Sequence, residues 1–387
     1  MACQISTNEE KDKPMIERLY LDNYKCFVNF EWQPKALQLV LGRNGTGKTT
    51  VFRVLETLRE FVVTGRPTTE AFPTSTLTAW DTRSEQTVEL ELTGNGGRYR
   101  YRLIVEHERG KQRSRIKTER LQFDQLTLYE FDGSDAHLFH NDGLPGPKFP
   151  FDWSRSAIPT IPERPDNQRL VWFRDRMVRV YVFAPDPLGM EHQSEAEVEK
   201  PDRHLRNLVS WLRHLLQESV DTGTGLRDCL REDAIEGFQG FRLERAGETS
   251  RVLKFEFDFS EDSATKSTNR FTLSFNELSE GQRCLVALFT VLYAAVGPDT
   301  TLCVDEPDNF VALREIQPWL TRLSDRVHDE SCQCLLISHH PELIDYLAAD
   351  HGLQFFREDA GPVRTKPFEW TGDDAVKASE IVARGWE

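Results

Sequence analysis

The sequence contains no long apolar run free of charge, and without one no helix can span a bilayer. No Cys-x-x-Cys pair occurs, which removes the common zinc frameworks. The seven cysteines are odd in number and scattered. Cys303, Cys332 and Cys334 sit in or beside apolar runs and are expected to be reduced core thiols. Positive charge is not in excess: the 387 residues carry a net charge of −15. A dedicated duplex binder is normally basic, so any nucleic-acid contact would have to come from a local patch or a partner. Sustained heptads are missing, which excludes a long coiled-coil arm. The opening MACQISTNEEKDKP is polar and acidic, unlike a signal or transit peptide. A frayed tail over 1–14, a cytoplasmic location and no membrane partner are the expectations.

What is present is a folded, globular composition, with 39% hydrophobic and 29% charged residues. The stretch Leu39 to Thr50 reads LVLGRNGTGKTT. Gly42, Gly47, Lys48 and Thr49 fill a complete G-x-x-x-x-G-K-[ST] phosphate loop. The apolar run Leu37 to Leu41 before it predicts a strand. Val51, Phe52, Val54, Leu55, Leu58 and Phe61 after it predict a helix. Strand, glycine loop and helix are the context this motif needs. Gly42, Gly45 and Gly47 free the backbone to curl its N–H groups around phosphate oxygens, and the helix N-terminus favours an anion. The whole loop, including Arg43, Asn44, Thr46 and Thr50, is the candidate nucleotide cradle. Lys48 is assigned to the terminal phosphates and the Thr49 hydroxyl to a Mg²⁺ shell. Lys25 lies shortly before the loop and could approach the nucleotide, or be an ordinary solvated lysine.

The rest of the chain reads as follows. Met15 to Phe30 is strand, turn, strand. Thr64 to Ser84 is a polar loop. Val88, Leu90 and Leu92 alternate with Glu89 and Glu91, Gly94 to Gly97 is a turn, and Tyr99, Tyr101, Leu103 and Val105 alternate with Arg98, Arg100 and Arg102. This is a hairpin with one apolar and one basic face. The basic face is either a phosphate-backbone contact or a solvated surface. Asn141 to Pro165 is dense in proline and predicts an extended surface loop. Val178 to Phe183 is a compact strand, and Glu191 to Lys200 an acidic linker. Leu205, Leu208, Val209, Leu212, Leu215 and Leu216 mark one face of a helix. Val252, Phe255, Phe257 and Phe259 alternate as strand, and Phe271 to Phe275 is another. A helix over Glu342 to Ala349, strands over Gly352 to Phe356 and Val363 to Trp370, and a final helix from near Asp373 complete the chain.

Three further motifs accompany the phosphate loop. Leu278-Ser279-Glu280-Gly281-Gln282 opens a helix, so Ser279, Gly281 and Gln282 form either a second anion site or a simple helix cap. Thr301 to Glu306, TLCVDE, is an apolar strand ending in two acids. Asp305 is assigned to Mg²⁺ and Glu306 to the water that attacks a γ-phosphate. Leu335 to Ile337 is a strand ending at Ser338-His339-His340-Pro341. His339 is preferred over His340 as the residue that orients that water, because His340 precedes a proline.

In this order the motifs resemble those of ABC-type ATPase heads. LDNYKCF followed by LVLGRNGTGKTT is similar to the structural-maintenance-of-chromosomes (SMC) and DNA-repair branch. Pro201 to Leu208 and the string ISHHPELID resemble the overcoming-lysogenisation-defect-like ATPases of bacteria. The resemblance implies an α/β fold: a P-loop NTPase of the ABC type, with a mixed central sheet, an antiparallel β subdomain and a helical lobe. It implies one ATPase domain over 15–387, divided as phosphate-loop core 15–63, β-rich insert 85–183 with its proline-rich loop 141–169, helical lobe 200–236, second core 241–370 and C-terminal helix 371–387. It implies ATP and Mg²⁺ as ligands, and a homodimer or higher oligomer in which Ser279 meets the γ-phosphate of the opposite copy. A separate effector, a nuclease or TOPRIM-like protein, is the implied partner in phage defence or DNA processing. Transporter subunits and non-hydrolysing ATP sensors are the rival readings. Glu280 replaces the usual glycine of the signature. Pro307 to Ala312 departs from the usual stretch that contacts the opposite nucleotide. The glutamine of a metal-sensing loop is not placed; Gln86, Gln125 and Gln168 all compete for it.

Overall fold

Two periodicities in the sequence become two large sheets. The computed structural model describes residues 15–260, 268–312, 314–370 and 376–384; the expected tail over 1–14 and the expected helix start near Asp373 lie outside these. The strands begin with β1 (Ile16–Asp22), β2 (Phe30–Trp32), β3 (Leu37–Leu41), β4 (Glu85–Gly94), β5 (Gly97–Glu108) and β6 (Arg113–Phe123). They continue with β7 (Leu126–Phe131), β8 (Asp135–Phe139), β9 (Pro145–Pro150), β10 (Val180–Phe183), β11 (Gln193–Ser194) and β12 (Phe238–Arg245). The last are β13 (Arg251–Ser260), β14 (Thr268–Ser274), β15 (Thr301–Asp305), β16 (Gln333–Ile337), β17 (Gly352–Arg357) and β18 (Val363–Pro367). The α-helices are α1 (Lys48–Thr64), α2 (Thr68–Ala71), α3 (Gln168–Val178), α4 (Leu208–Glu218), α5 (Val220–Cys229), α6 (Glu280–Ala294), α7 (Ile316–Asp329), α8 (Pro341–His351) and α9 (Ala378–Arg384).

The central sheet has the order β10-β15-β16-β3-β17-β18. Its strands are parallel except β18, which returns antiparallel on β17. Every residue of β3, β15 and β16 is buried, as expected for parallel strands covered on both faces. On one face Leu37, Leu39 and Leu41 join a core with α4, α6, α7, α8 and the β12–β13 pair. On the other, Val40 joins α1, α3 and the antiparallel sheet. No described helix is long and apolar enough to cross a membrane.

The antiparallel sheet has the order β2-β1-β4-β5-β6-β7-β8-β9. Its long strands alternate, with Tyr99, Tyr101, Leu103 and Val105 inward and Arg98, Arg100 and Arg102 outward. The basic face predicted here is matched by acids in register: Arg100 lies opposite Glu91, and Arg102 opposite Glu89. Arg98 pairs with Glu17 at 2.7 Å, and Arg18 with Glu89 at 2.8 Å. The stripe of Arg98, Arg100 and Arg102 is therefore close to neutral, which favours the solvated face of the two readings given for it.

Three other expectations change. The loop predicted over Thr64 to Ser84 contains α2 and a 3₁₀ turn, because Phe72 is fully buried and meets Phe61 edge-on at 5.5 Å between centroids. The proline-dense stretch supplies β9 at the outer edge of its sheet, a position that asks for few backbone donors. The strand at Val180–Phe183 pairs with β15, so the β-rich segment expected over 85–183 ends, as a sheet, at Pro150. One buried amide ties the two sheets together. Gln333 accepts from the Ile16 N–H at 3.0 Å and the Thr301 hydroxyl at 3.1 Å, and donates to the carbonyls of Ile16 at 3.0 Å and Lys35 at 3.2 Å.

Candidate functional site

Three parallel strands deliver the predicted groups to one edge. At the end of β3 the chain turns with Gly42 at φ +139°, and a Cβ there would lie 2.2 Å from the Phe355 carbonyl oxygen. Gly47 has φ +90°, and its missing Cβ leaves room for the Phe27 ring and the Cys26 sulfur. Only glycine fits either place, which explains the two fixed glycines of the motif. Arg43, Asn44 and Gly45 form the exposed tip, and the Thr46 hydroxyl braces it by donating to the Arg43 carbonyl at 2.8 Å. α1 starts at Lys48, with Thr49 exposed and Thr50 half-buried beside it.

The Lys48 ammonium is buried and donates to the carbonyls of Gly42 and Arg43, the latter at 3.1 Å. Burial lowers its pKa, while the charges of Glu306 and Asp305 oppose that shift. The Thr49 hydroxyl donates to Asp305 Oδ1 at 3.3 Å, across 256 positions of sequence. Burial raises the Asp305 pKa, and the Thr49 hydrogen bond and Arg203 pull it down. A hydroxyl and a carboxylate side by side are the hard oxygen donors that Mg²⁺ takes, with water and phosphate completing its shell. Among the described residues no group of three or more His, Cys, Asp or Glu could hold a metal. The residues therefore fit a Mg²⁺ that arrives with a phosphate rather than a resident, all-protein site.

Glu306 leaves β15 in the left-handed region, at φ +53°. Its N–H donates to the Ile337 carbonyl at 2.8 Å, and its Oε2 accepts from the Asn309 amide at 2.6 Å. Non-glycine residues in this region carry strain, and such strain gathers at functional sites. His339 follows β16. Burial and then the Lys48 cation depress its pKa, with Glu306 opposing. His340 instead caps α8, its Nδ1 accepting from the Glu342 N–H at 3.3 Å. The structure thus puts His339 in the field of Lys48 and Glu306 and gives His340 the N-cap of α8.

Ser279, Gly281 and Gln282 are not brought to this edge by any hydrogen bond to the phosphate loop. Ser279 is exposed and closes a capping box at the start of α6: its hydroxyl accepts from the Gln282 N–H at 3.1 Å, and Gln282 Oε1 accepts from its N–H at 3.0 Å. A Cβ on Gly281 would come within 2.9 Å of the Phe310 carbonyl oxygen, so this glycine lets the turn after Glu306 press against α6.

No predicted metal-sensing glutamine reaches the site. The Gln86 side chain is buried and donates to Asn23 and Thr76 carbonyls. Gln125 lies exposed in the β6–β7 turn, and Gln168 is exposed at the start of α3. Lys25 is also exposed. The residue that sequence reasoning missed is Arg203, whose guanidinium lies 3.4 Å from Asp305 Oδ2 and 3.0 Å from Glu56 Oε2. Its only signal was its place in the string Pro201 to Leu208. Arg357 was missed as well; it donates to the Gly45 carbonyl at 3.2 Å and lies over the Trp80 ring at 5.4 Å.

The family model described as "AAA domain, putative AbiEii toxin, Type IV TA system" matches residues 39–345. Among solved structures, the chain is similar to an Smc head bound to the C-winged helix domain of ScpA, with a TM-score of 0.53 and 13% identity over 91% of this chain and 98% of that one. An Smc head domain with an extended coiled coil, bound to the C-terminal domain of ScpA and derived from Pyrococcus furiosus, gives 0.49 and 12% over 97% and 100%. The SMC head domain from Thermotoga maritima gives 0.45 and 13% over 92% and 99%. No curated protein matches the chain. At such identities the first likeness shows the fold alone: an α/β P-loop fold with the architecture of an SMC head.

Proposed function

We propose that this chain, which belongs to that AAA domain family, is a Mg²⁺-dependent ATP hydrolase that acts as an ATP-dependent dimerisation switch. One observation carries the reading. Thr49 at the start of α1 and Asp305 at the end of β15 touch at 3.3 Å, beside a complete phosphate loop and a strained Glu306.

In this mechanism the loop from Gly42 to Thr50 wraps the phosphates with its N–H groups. Lys48 leaves the two loop carbonyls it now holds and moves to the terminal phosphates. Thr49 and Asp305 would hold Mg²⁺, which neutralises charge on the phosphate oxygens. Glu306, steadied by Asn309 and by the Ile337 carbonyl, takes a proton from the attacking water. The water oxygen bonds to the γ-phosphorus as the bridging bond to the β-phosphate breaks, and ADP leaves with that electron pair. His339, whose pKa burial lowers, donates a hydrogen bond to the γ-phosphate. Ser279 and the N-terminus of α6 face solvent, where a second copy can present its own γ-phosphate to them. Triphosphate then joins two copies, or a higher oligomer, and hydrolysis parts them.

We read residues 15–387 as one ATPase head working in the cytoplasm. The family's description, with its toxin and Type IV TA system, supports a defence role. In our reading the switch there controls a separate effector such as a nuclease or TOPRIM-like protein. The paired arginines of the antiparallel sheet give no support to direct DNA contact through that hairpin. The test is Glu306→Gln with light scattering and phosphate release. Retained ATP-dependent dimers and lost phosphate are expected. A monomer at saturating Mg·ATP, or full turnover by Lys48→Ala, overturns the reading.

A further inference from the structure

Beside the candidate metal site stands a cation that the mechanism above does not use. Arg203 lies in the turn before α4. The Asp202 carboxylate folds that turn by accepting from the N–H groups of His204 at 2.8 Å, Arg206 at 3.3 Å and Asn207 at 3.1 Å. The turn is zipped onto the segment that leaves β10, next to β15. The Ala184 N–H donates to the Arg203 carbonyl at 2.8 Å, the Asp186 N–H donates to the His204 carbonyl at 3.1 Å, and His204 Nδ1 lies 2.9 Å from the Ala184 carbonyl oxygen. Backbone and turn are thus fixed, and the guanidinium reaches from them into the gap between α1 and β15.

Its contacts there are unequal. One nitrogen meets Glu56 of α1 at 3.0 Å, another meets Asp305 at 3.4 Å, and Nε is buried without a partner. An arginine built only to neutralise a carboxylate normally engages it through two parallel bonds at 2.7–2.9 Å. Here the contact with Asp305 is single and long, while Glu56 holds the other side. Asp305 divides its oxygens between Thr49 on Oδ1 and Arg203 on Oδ2. A divalent cation at Thr49 and Asp305 would meet the field of this guanidinium directly.

We propose that Arg203 is a positioning residue that holds the charge of Asp305 until Mg·nucleotide arrives, competes with the metal for it, and then pivots on Glu56 so that its free Nε–H turns to the phosphate oxygens. Gln86, Gln125 and Gln168 make no contact with Asp305, whereas Arg203, rooted in the turn before α4, does. Its turn leads directly into α4, which packs in the same core as α6, the helix that Ser279 caps. This rests on the proposed nucleotide reading.

The test is a Mg²⁺ titration of a fluorescent, non-hydrolysable ATP analogue bound to the full chain. Arg203→Gln should lower the half-saturating Mg²⁺ by about fivefold or more, the range of ordinary coupling between sites. Arg203→Lys, which keeps a point charge, should fall between. Glu56→Gln should move the other way, because Arg203 then has only Asp305 to pair with. A merely structural arginine would weaken analogue binding in both variants without opposite shifts in Mg²⁺ demand. Unchanged Mg²⁺ demand in well-folded Arg203→Gln and Glu56→Gln overturns the proposal. If the wild-type chain binds no analogue at any Mg²⁺ concentration, the nucleotide reading itself fails.

Discussion

Two buried carboxylates, one in each large sheet, show how differently the same group can be housed. Asp305 ends a parallel strand, and Glu119 sits within β6 of the antiparallel sheet, fully buried. Burial raises the pKa of both. Glu119 is enclosed by hydroxyls: Tyr101 donates at 2.8 Å, Tyr129 at 3.1 Å and Ser156 at 2.7 Å. None is a cation, and its pKa is pushed up to about 7. Asp305 has one hydroxyl and one distant guanidinium, at the strand edge where ligands of parallel sheets bind. A saturated acid belongs to the core; an acid with unfinished coordination at an open edge belongs to a site.

The sharpest way to break this contrast is to neutralise each acid in turn. Asp305→Asn should reduce phosphate release by about 100-fold or more, the scale of removing one electrostatic stabiliser, with little change in the melting temperature of the free protein. Gly42→Ala, which sets a methyl against the Phe355 carbonyl at φ +139°, should abolish analogue binding in fluorescence titrations. Glu119→Ala should do the reverse of Asp305→Asn. It strands three buried hydroxyls and should cost about 2–4 kcal/mol in denaturant unfolding, while the Mg²⁺ demand for analogue binding in the folded fraction stays unchanged.

A subtler comparison uses pH. The Glu119 pKa is raised in the folded state from 4.5 to about 7, so the folded chain binds the extra proton between those values. Its contribution to stability is full below pH 4.5 and is lost as pH rises through 7. Melting curves from pH 5 to 8 should therefore show a downward slope that Glu119→Gln flattens. The smallest effect is expected on the outer face of the same sheet. Arg100→Glu with Arg102→Glu disturbs only exposed ion pairs, and the change in unfolding free energy should stay within about 1 kcal/mol.

These contrasts also explain what could be read from the chain alone. β3, β15 and β16 appeared as continuous apolar runs because both of their faces are covered, and the hairpin of β4 and β5 alternated because one face is wet. Lys48, Thr49, Asp305 and Glu306 carried spacing and flanks that local chemistry makes recognisable. The partnership of β10 with β15 did not, since a parallel pairing between Val180 and Thr301 leaves no local trace. β9 was hidden because prolines mark an edge strand and a loop alike. Arg203 was hidden because its meaning comes from Glu56 and Asp305, both far away in the sequence. The neutrality of the arginine stripe could be seen only once Glu89 and Glu91 were in register with it.

The amide of Gln333 has a mechanical consequence. Two of its hydrogen bonds hold the first residue of β1, and the other two hold Thr301 of β15 and Lys35 before β3, so the sheets cannot slide past each other at this point without breaking the Ile16 pair. The same two strands that start at this joint, β15 and β16, end beside Glu306 and His339. The joint between the sheets and the candidate site therefore lie at opposite ends of one pair of strands.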